Sequence, residues 1–228
     1  MTWKYEVIDN FFSEEDFAYL LKKLNSINTV NLKPTDMIYL GNRFYLEGNE
    51  ETNGLDSGML SALAGKYGFK LLEILRRLAP KKIDLLDFIE FSLVVAGPEY
   101  SHHVHDDDTN KLVSAVIYVA PEDNRGTLIH TKKNGPPVQE ITWKPNRAFI
   151  FSRREQETWH SYCGDGISTR KTVIINFRSL KSDTAYRRKV LAAEGNYFRY
   201  YIVRERIIDK TYRFIKNIYN GILNVKKN

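Results

Sequence analysis

From Ile83 to Phe177 the chain is a succession of short runs rich in Val, Ile, Phe and Tyr: IDLLDFIEFSLVVAG, KLVSAVIYV, GTLIHT, VQEIT, NRAFIFS and KTVIINF, separated by polar or Gly/Pro punctuation. β-Branched and aromatic side chains suit a pleated, half-buried surface, and short runs recurring this often read as strands of an antiparallel sandwich or barrel. No internal repeat or low-complexity segment interrupts them, and KKNGPP at 132–137 is the loop that stands out.

Helical periodicity flanks this region on both sides. Ser13 is a helix cap with Asp16 three residues on, and Phe17, Leu20, Leu21 and Leu24 follow at helical spacing. A second helix is expected across Leu60 to Leu78, its apolar face carrying Leu71, Leu72, Ile74, Leu75 and Leu78 before Pro80 ends it. Beyond Thr184, Tyr201, Ile208, Tyr212, Ile215, Tyr219 and Ile222 form a heptad-like stripe beside Arg204, Arg206, Lys210, Arg213 and Lys216. That tail packs on the barrel or on a second subunit as a homodimer seam, or docks on an acidic surface such as nucleic acid or anionic lipid.

Charge divides the same way. The net charge is +6, but residues 181–228 hold 12 basic and 4 acidic side chains, a surplus of +8 against −2 for the rest. One domain at 1–180 with a basic amphipathic helical extension at 181–228 is therefore expected. Cys163 is the single cysteine, which excludes a disulfide framework and a thiolate zinc site and suits a reducing compartment, the cytoplasm by default. The opening MTWKYEVIDNFFSEEDF is too acidic for a secretory signal, and no stretch approaches the roughly 18 apolar residues of a membrane span.

The densest chemistry lies in SHHVHDDDTNK, residues 101–111, just before an apolar run. Residues i and i+2 of an extended backbone share a side, so His105 and Asp107 can aim at one point while Asp106 points away. An imidazole–carboxylate pair completed by a second imidazole leaves about half an octahedron open, the arrangement that suits non-heme iron(II). The second imidazole is His130, in GTLIHT, or His160, in FSRREQETWHSY; His160 is preferred because Arg170 follows ten residues on, at the mouth of KTVIINF. Arginine there offers two parallel charge-assisted bonds to the far carboxylate of a keto acid chelated by the metal, whereas Arg178 lies at the other end of that run. For His102, His103, Asp106 and Asp108 the expectation is a polar loop that supports the ligands by hydrogen bonds. Arg153, Arg154 and Trp159 line the substrate entrance or form a solvated rim.

The chain resembles the prolyl-4-hydroxylase-like branch of the 2-oxoglutarate/iron(II) dioxygenases. The likeness is carried by H-x-D-x-x-x-K followed by LVSAVIYV (His105 to Val119), by Gly126-Thr127, by TWHSY followed by Arg170 and TVIINF, and by the opening VIDNFFSEEDF. It spans roughly residues 5–180. The resemblance implies a mainly β protein with flanking helices, its core a double-stranded β-helix of the jelly-roll or cupin kind. Metal ligands would be His105, Asp107 and His160, which are also the catalytic residues. Arg170 would bind the co-substrate carboxylate, with Tyr118 and the small hydroxyl residue Ser114 beside it. Implied cofactors are iron(II), 2-oxoglutarate as co-substrate, and ascorbate as an accessory. The implied activity is hydroxylation of a C–H bond in a peptidyl substrate, a prolyl residue included, or in a small molecule, with release of succinate and carbon dioxide.

Two rivals stand beside that expectation. A nucleic-acid demethylase of the same fold is favoured by the basic tail, but resemblance to those enzymes would require a second arginine about six residues after Arg170, where this chain has Asn176. A catalytically silent metal-binding barrel acting as an interaction module is disfavoured because all three ligand positions and the arginine are intact.

Overall fold

The computed structural model describes residues 3–45, 50–51, 57–108, 110–154 and 156–179. The helical extension expected at 181–228 lies outside them. In chain order the elements are β1 (Tyr5–Ile8), α1 (Glu14–Ser26), β2 (Met37–Tyr45), β3 (Glu50–Glu51), α2 (Ser57–Leu78), a 3-10 turn (Pro80–Leu85), β4 (Phe88–Ala96), β5 (Ser101–His105), β6 (Lys111–Ala120), β7 (Thr127–His130), β8 (Pro137–Ile141), β9 (Ala148–Phe151), β10 (His160–Cys163) and β11 (Arg170–Arg178).

All pairings are antiparallel. One sheet has seven strands in the order β1-β9-β6-β11-β4-β2-β3 and the other has four in the order β5-β10-β7-β8. Together they form the jelly-roll core of a double-stranded β-helix, with both helices packed on the larger sheet. The face of β4, β6 and β11 turned away from the smaller sheet is an apolar layer under the helices: Phe91, Leu93, Val95, Val113, Ala115, Ile117, Val173, Ile175 and Phe177 are all buried. Each Leu, Ile or Phe so buried stabilises the fold by about 1.5–3 kcal/mol relative to exposure.

Ser13 caps α1, its Oγ accepting from Asp16 N at 3.3 Å and donating to Asp16 Oδ2 at 2.7 Å. Leu20 and Leu24 are the buried apolar residues of this helix. In α2 the buried face is Leu63, Tyr67, Leu71, Ile74 and Leu75, while Leu72 and Leu78 are half-buried. The expected strand beginning at Ile83 starts instead at Phe88, because Pro80 opens a 3-10 turn that consumes residues 80–85. Gly126 is required where β7 meets β8: a Cβ there would lie 1.7 Å from the Ile141 carbonyl oxygen. Among the described residues no helix is long and apolar enough to cross a membrane.

Candidate metal and co-substrate site

The two histidines meet through strand pairing. β5 and β10 run antiparallel in the smaller sheet with His105 opposite His160, and their rings lie 4.2 Å apart between centroids. Asp107 falls two residues beyond the end of β5, where the chain turns toward β6. One ligand atom from each of His105, Asp107 and His160 lies within 4.8 Å of the others, so the three side chains converge as expected.

Hydrogen bonds fix which ring nitrogens face that point. His105 Nδ1 lies 2.9 Å from the His103 carbonyl oxygen and His160 Nδ1 lies 2.8 Å from that of Thr158. A carbonyl only accepts, so both Nδ1 atoms carry the proton and both Nε2 atoms present lone pairs. Asp107 is held at both oxygens: Lys111 Nζ donates to Oδ1 at 2.6 Å and Ser114 Oγ to Oδ2 at 2.7 Å. The donor set of two neutral imidazoles and one carboxylate, without thiolate, fits a ferrous ion.

A second clamp joins the ligand-bearing segments. Asp106 accepts from Thr158 Oγ1 at 2.5 Å and from Gln156 N at 2.8 Å, and Arg153 Nη2 lies 3.4 Å from its carboxylate. Arg153 also donates from Nε to the Asp107 carbonyl at 2.9 Å. Asp106 therefore points away from the metal position, as the alternation argument requires, and ties the loop before His160 to the loop after His105. Arg153, Arg154 and Trp159 do not line the cavity: Arg153 is buried in this clamp and Arg154 is exposed.

A cavity of about 190 Å³ between the two sheets is lined by the three ligand residues and by Arg170. Arg170 opens β11 and is 7% exposed, and among the described residues no carboxylate pairs with it. Its Nε is buried without a partner, and its guanidinium lies 3.6 Å from the Tyr162 ring centroid and 5.4 Å from those of Tyr118 and Trp143. Burial drives its pKa down despite these rings. A cation kept this way has every reason to take up an anion from the cavity.

Tyr118 and Ser114 both have hydrogen-bond partners within the protein. Tyr118 is 0% exposed and lies outside the cavity wall; its hydroxyl accepts from Thr127 N at 3.0 Å and is spent on Thr127 Oγ1 at 2.9 Å and the Ile141 carbonyl at 3.3 Å. It meets Arg170 with its ring. Ser114 lines the cavity but serves Asp107. His130 is turned out of the cavity, its ring between the Gly135 carbonyl and Ser161 Oγ. Sequence reasoning missed Tyr162, although its i+2 spacing from His160 in TWHSY puts both on one side of an extended strand. It also gave no role to Lys111 in H-x-D-x-x-x-K.

Burial, reinforced by the His160 ring, lowers the pKa of His105 to about 4, and burial lowers that of His160 as well. Burial would raise the Asp107 carboxyl, but the Lys111 ammonium overcomes this and holds it below the usual range. Native imidazoles thus refuse protons that unfolded ones, at about 6.5, accept. Stability of the metal-free protein should accordingly fall as pH drops from about 6.5 toward 4, with Asp107 adding a further loss below the ordinary carboxylate pKa of about 4. Urea midpoints of metal-free protein at pH 7 and pH 5 check this, and equal midpoints would refute it.

No family model and no curated protein matches the sequence. Solved structures do match in fold. A prolyl-4-hydroxylase of Pseudomonas putida aligns with a TM-score of 0.54 at 14% identity, covering 79% of this chain and 95% of that one. A bsmA homologue from Methylobium petroleophilum gives a TM-score of 0.52 at 13% identity, covering 77% and 85%. The viral collagen prolyl hydroxylase of Paramecium bursaria Chlorella virus-1, as its 2OG complex, gives 0.51 at 17% identity, covering 78% and 96%. The chain shares their fold across nearly their whole length.

Proposed function

We propose that this chain is an iron(II)- and 2-oxoglutarate-dependent dioxygenase that hydroxylates a C–H bond of a peptidyl substrate, a prolyl residue among the candidates, or of a small molecule. The observation that carries the reading is a cavity whose wall holds both a His–Asp–His donor set and a buried guanidinium that no carboxylate among the described residues pairs with. Bound iron(II) would supply the activation of dioxygen, with 2-oxoglutarate decarboxylated to succinate and carbon dioxide as the substrate C–H bond is hydroxylated.

The chain's own groups hold and orient. His105 and His160 offer Nε2 because their Nδ1 protons are bound to backbone carbonyls, and Ser114 and Lys111 fix the Asp107 carboxylate. Arg170 takes the far carboxylate of 2-oxoglutarate through paired charge-assisted bonds, with Tyr162 bracing the guanidinium from one face. Phe151, 4.9 Å from the His160 ring, and Trp3, 6.5 Å from it, wall off the ligand on its core side.

The test is succinate release by purified protein in air, with iron(II) and 2-oxoglutarate, while peptides, free amino acids and oligonucleotides are offered in parallel. Release should require both additions, and 2-oxoglutarate should bind about tenfold or more tightly when metal is present, as expected for coupled sites. A protein that binds neither and makes no succinate is a silent barrel, and the reading fails.

A further inference from the structure

β11 passes the site with Arg170, Thr172, Ile174 and Asn176 all on the cavity side, since alternate residues of a strand share a face. Arg170 and Asn176 are six residues apart, hence roughly 20 Å along the strand. Arg170 marks the co-substrate end. Asn176 marks the metal end: it lies opposite Ser114 in the β6 register, and Ser114 holds Asp107. A substrate carbon has to come close to the metal, so Asn176 borders the space left for the substrate.

The side chain of Asn176 is fixed in an unusual state. It is 1% exposed, its Nδ2 donates to Glu90 Oε2 at 3.0 Å, and its Oδ1 is buried without a partner. Glu90 is itself locked by Arg178 Nε at 2.8 Å. A carboxylate only accepts, so Nδ2 has to face Glu90 and Oδ1 has to face away from it. A buried acceptor without a donor carries its full desolvation penalty, which is relieved only when something in the cavity donates to it.

Charge narrows what that something is. Arg170 serves the co-substrate and Lys111 is committed to Asp107 at 2.6 Å, while Asp107 is itself a metal ligand. Among the described cavity residues no further charged side chain remains, so an ionised substrate group would be buried unpaired at high cost. Ile174, two residues before Asn176 on the same face, and Val94, opposite Thr172, make the wall between Asn176 and Arg170 partly apolar, and Met37 and Tyr39 reach the surface at 39% and 41% exposure.

We infer that the cavity admits an uncharged group bearing an N–H or O–H donor, which Asn176 Oδ1 receives, and that Asn176 thereby determines substrate specificity. Glu90 is the positioning residue for that amide. The inference rests on the oxygenase reading above and names its substrate class.

The probes are N-acetyl amino-acid methylamides, which are uncharged and carry amide donors; free amino acids and mononucleotides are the charged comparison. At least one methylamide should stimulate succinate release by the wild type, and Asn176→Leu, which keeps the shape but removes the acceptor, should lower kcat/KM for it about tenfold or more. The same probe should bind about tenfold more weakly to Asn176→Leu loaded with cobalt(II) and 2-oxoglutarate without oxygen, a readout independent of turnover. Because leucine leaves Glu90 a donor short, the second arm alters the probe: methylating its amide nitrogens should cost the wild type the same factor. Stimulation by charged probes alone, by none, or equally by N-methylated probes overturns the inference, as does an Asn176→Leu protein with wild-type kcat/KM. A wild type that binds neither metal nor 2-oxoglutarate overturns the oxygenase reading itself and is seen before any probe is added.

Discussion

Asp107→Ala is expected to abolish metal-dependent succinate release and to weaken cobalt(II) or iron(II) binding by more than about 100-fold, beyond the roughly 10–100-fold typical of residues that only support ligands. Asp107 supplies the only carboxylate oxygen of the donor set, within 4.8 Å of both imidazoles. It also neutralises Lys111, so the alanine variant leaves an ammonium stranded with 16% side-chain exposure. Removing one partner of a buried pair costs about 3–5 kcal/mol. The confounding stability loss is separable: Asp107→Ala with Lys111→Met should recover most of the urea midpoint and none of the metal affinity. Asp106→Ala is the contrast, expected to weaken metal about tenfold, because it loosens the clamp to Thr158 and Gln156 but removes no ligand. Equal effects of Asp106→Ala and Asp107→Ala, or normal turnover in Asp107→Ala, would show the ligand assignment to be wrong.

How far the sequence reveals this fold depends on which forces make each strand. β6, β9 and β11 are legible because their β-branched and aromatic runs are what a sheet covered on both faces demands. β2 is not, since Gly41, Asn42 and Arg43 break its apolar run and its conformation comes from a nine-residue ladder with β4. β5, SHHVH, has no strand composition and owes its form to pairing with β10. The same non-local pairing decides the site. The identities of His105, Asp107 and His160 can be chosen from spacing and ligand chemistry, but the register that sets His105 against His160 links residues 55 apart and is written in no local pattern. Tyr118 is a further case: its ring touches Arg170, while Thr127 N and the Ile141 carbonyl engage the hydroxyl, contacts visible only once β6, β7 and β8 are assembled.

Arg170→Met should move two measurements in opposite directions, which separates a ligand-binding role from a structural one. Methionine keeps the length and most of the volume, so the ligand-free fold loses the ring contacts with Tyr162 but is relieved of a buried charge that no carboxylate among the described residues pairs with. Cation–π contacts in a desolvated site are worth about 2 kcal/mol, whereas an effective desolvation penalty for a buried ion is several kcal/mol. The metal-free, ligand-free variant is therefore expected to be at least as stable as the wild type by urea denaturation. Binding of 2-oxoglutarate goes the other way: loss of a buried, paired charge contact costs about 2–5 kcal/mol, or roughly 30-fold to several thousand-fold in Kd. Saturating 2-oxoglutarate with metal should raise the wild-type Tm and leave that of Arg170→Met nearly unchanged, since stabilisation by a ligand follows its occupancy. If Arg170 were instead a structural residue whose charge the aromatic rings fully satisfy, Arg170→Met would destabilise the ligand-free protein and leave 2-oxoglutarate affinity intact, so the two signs together decide its role.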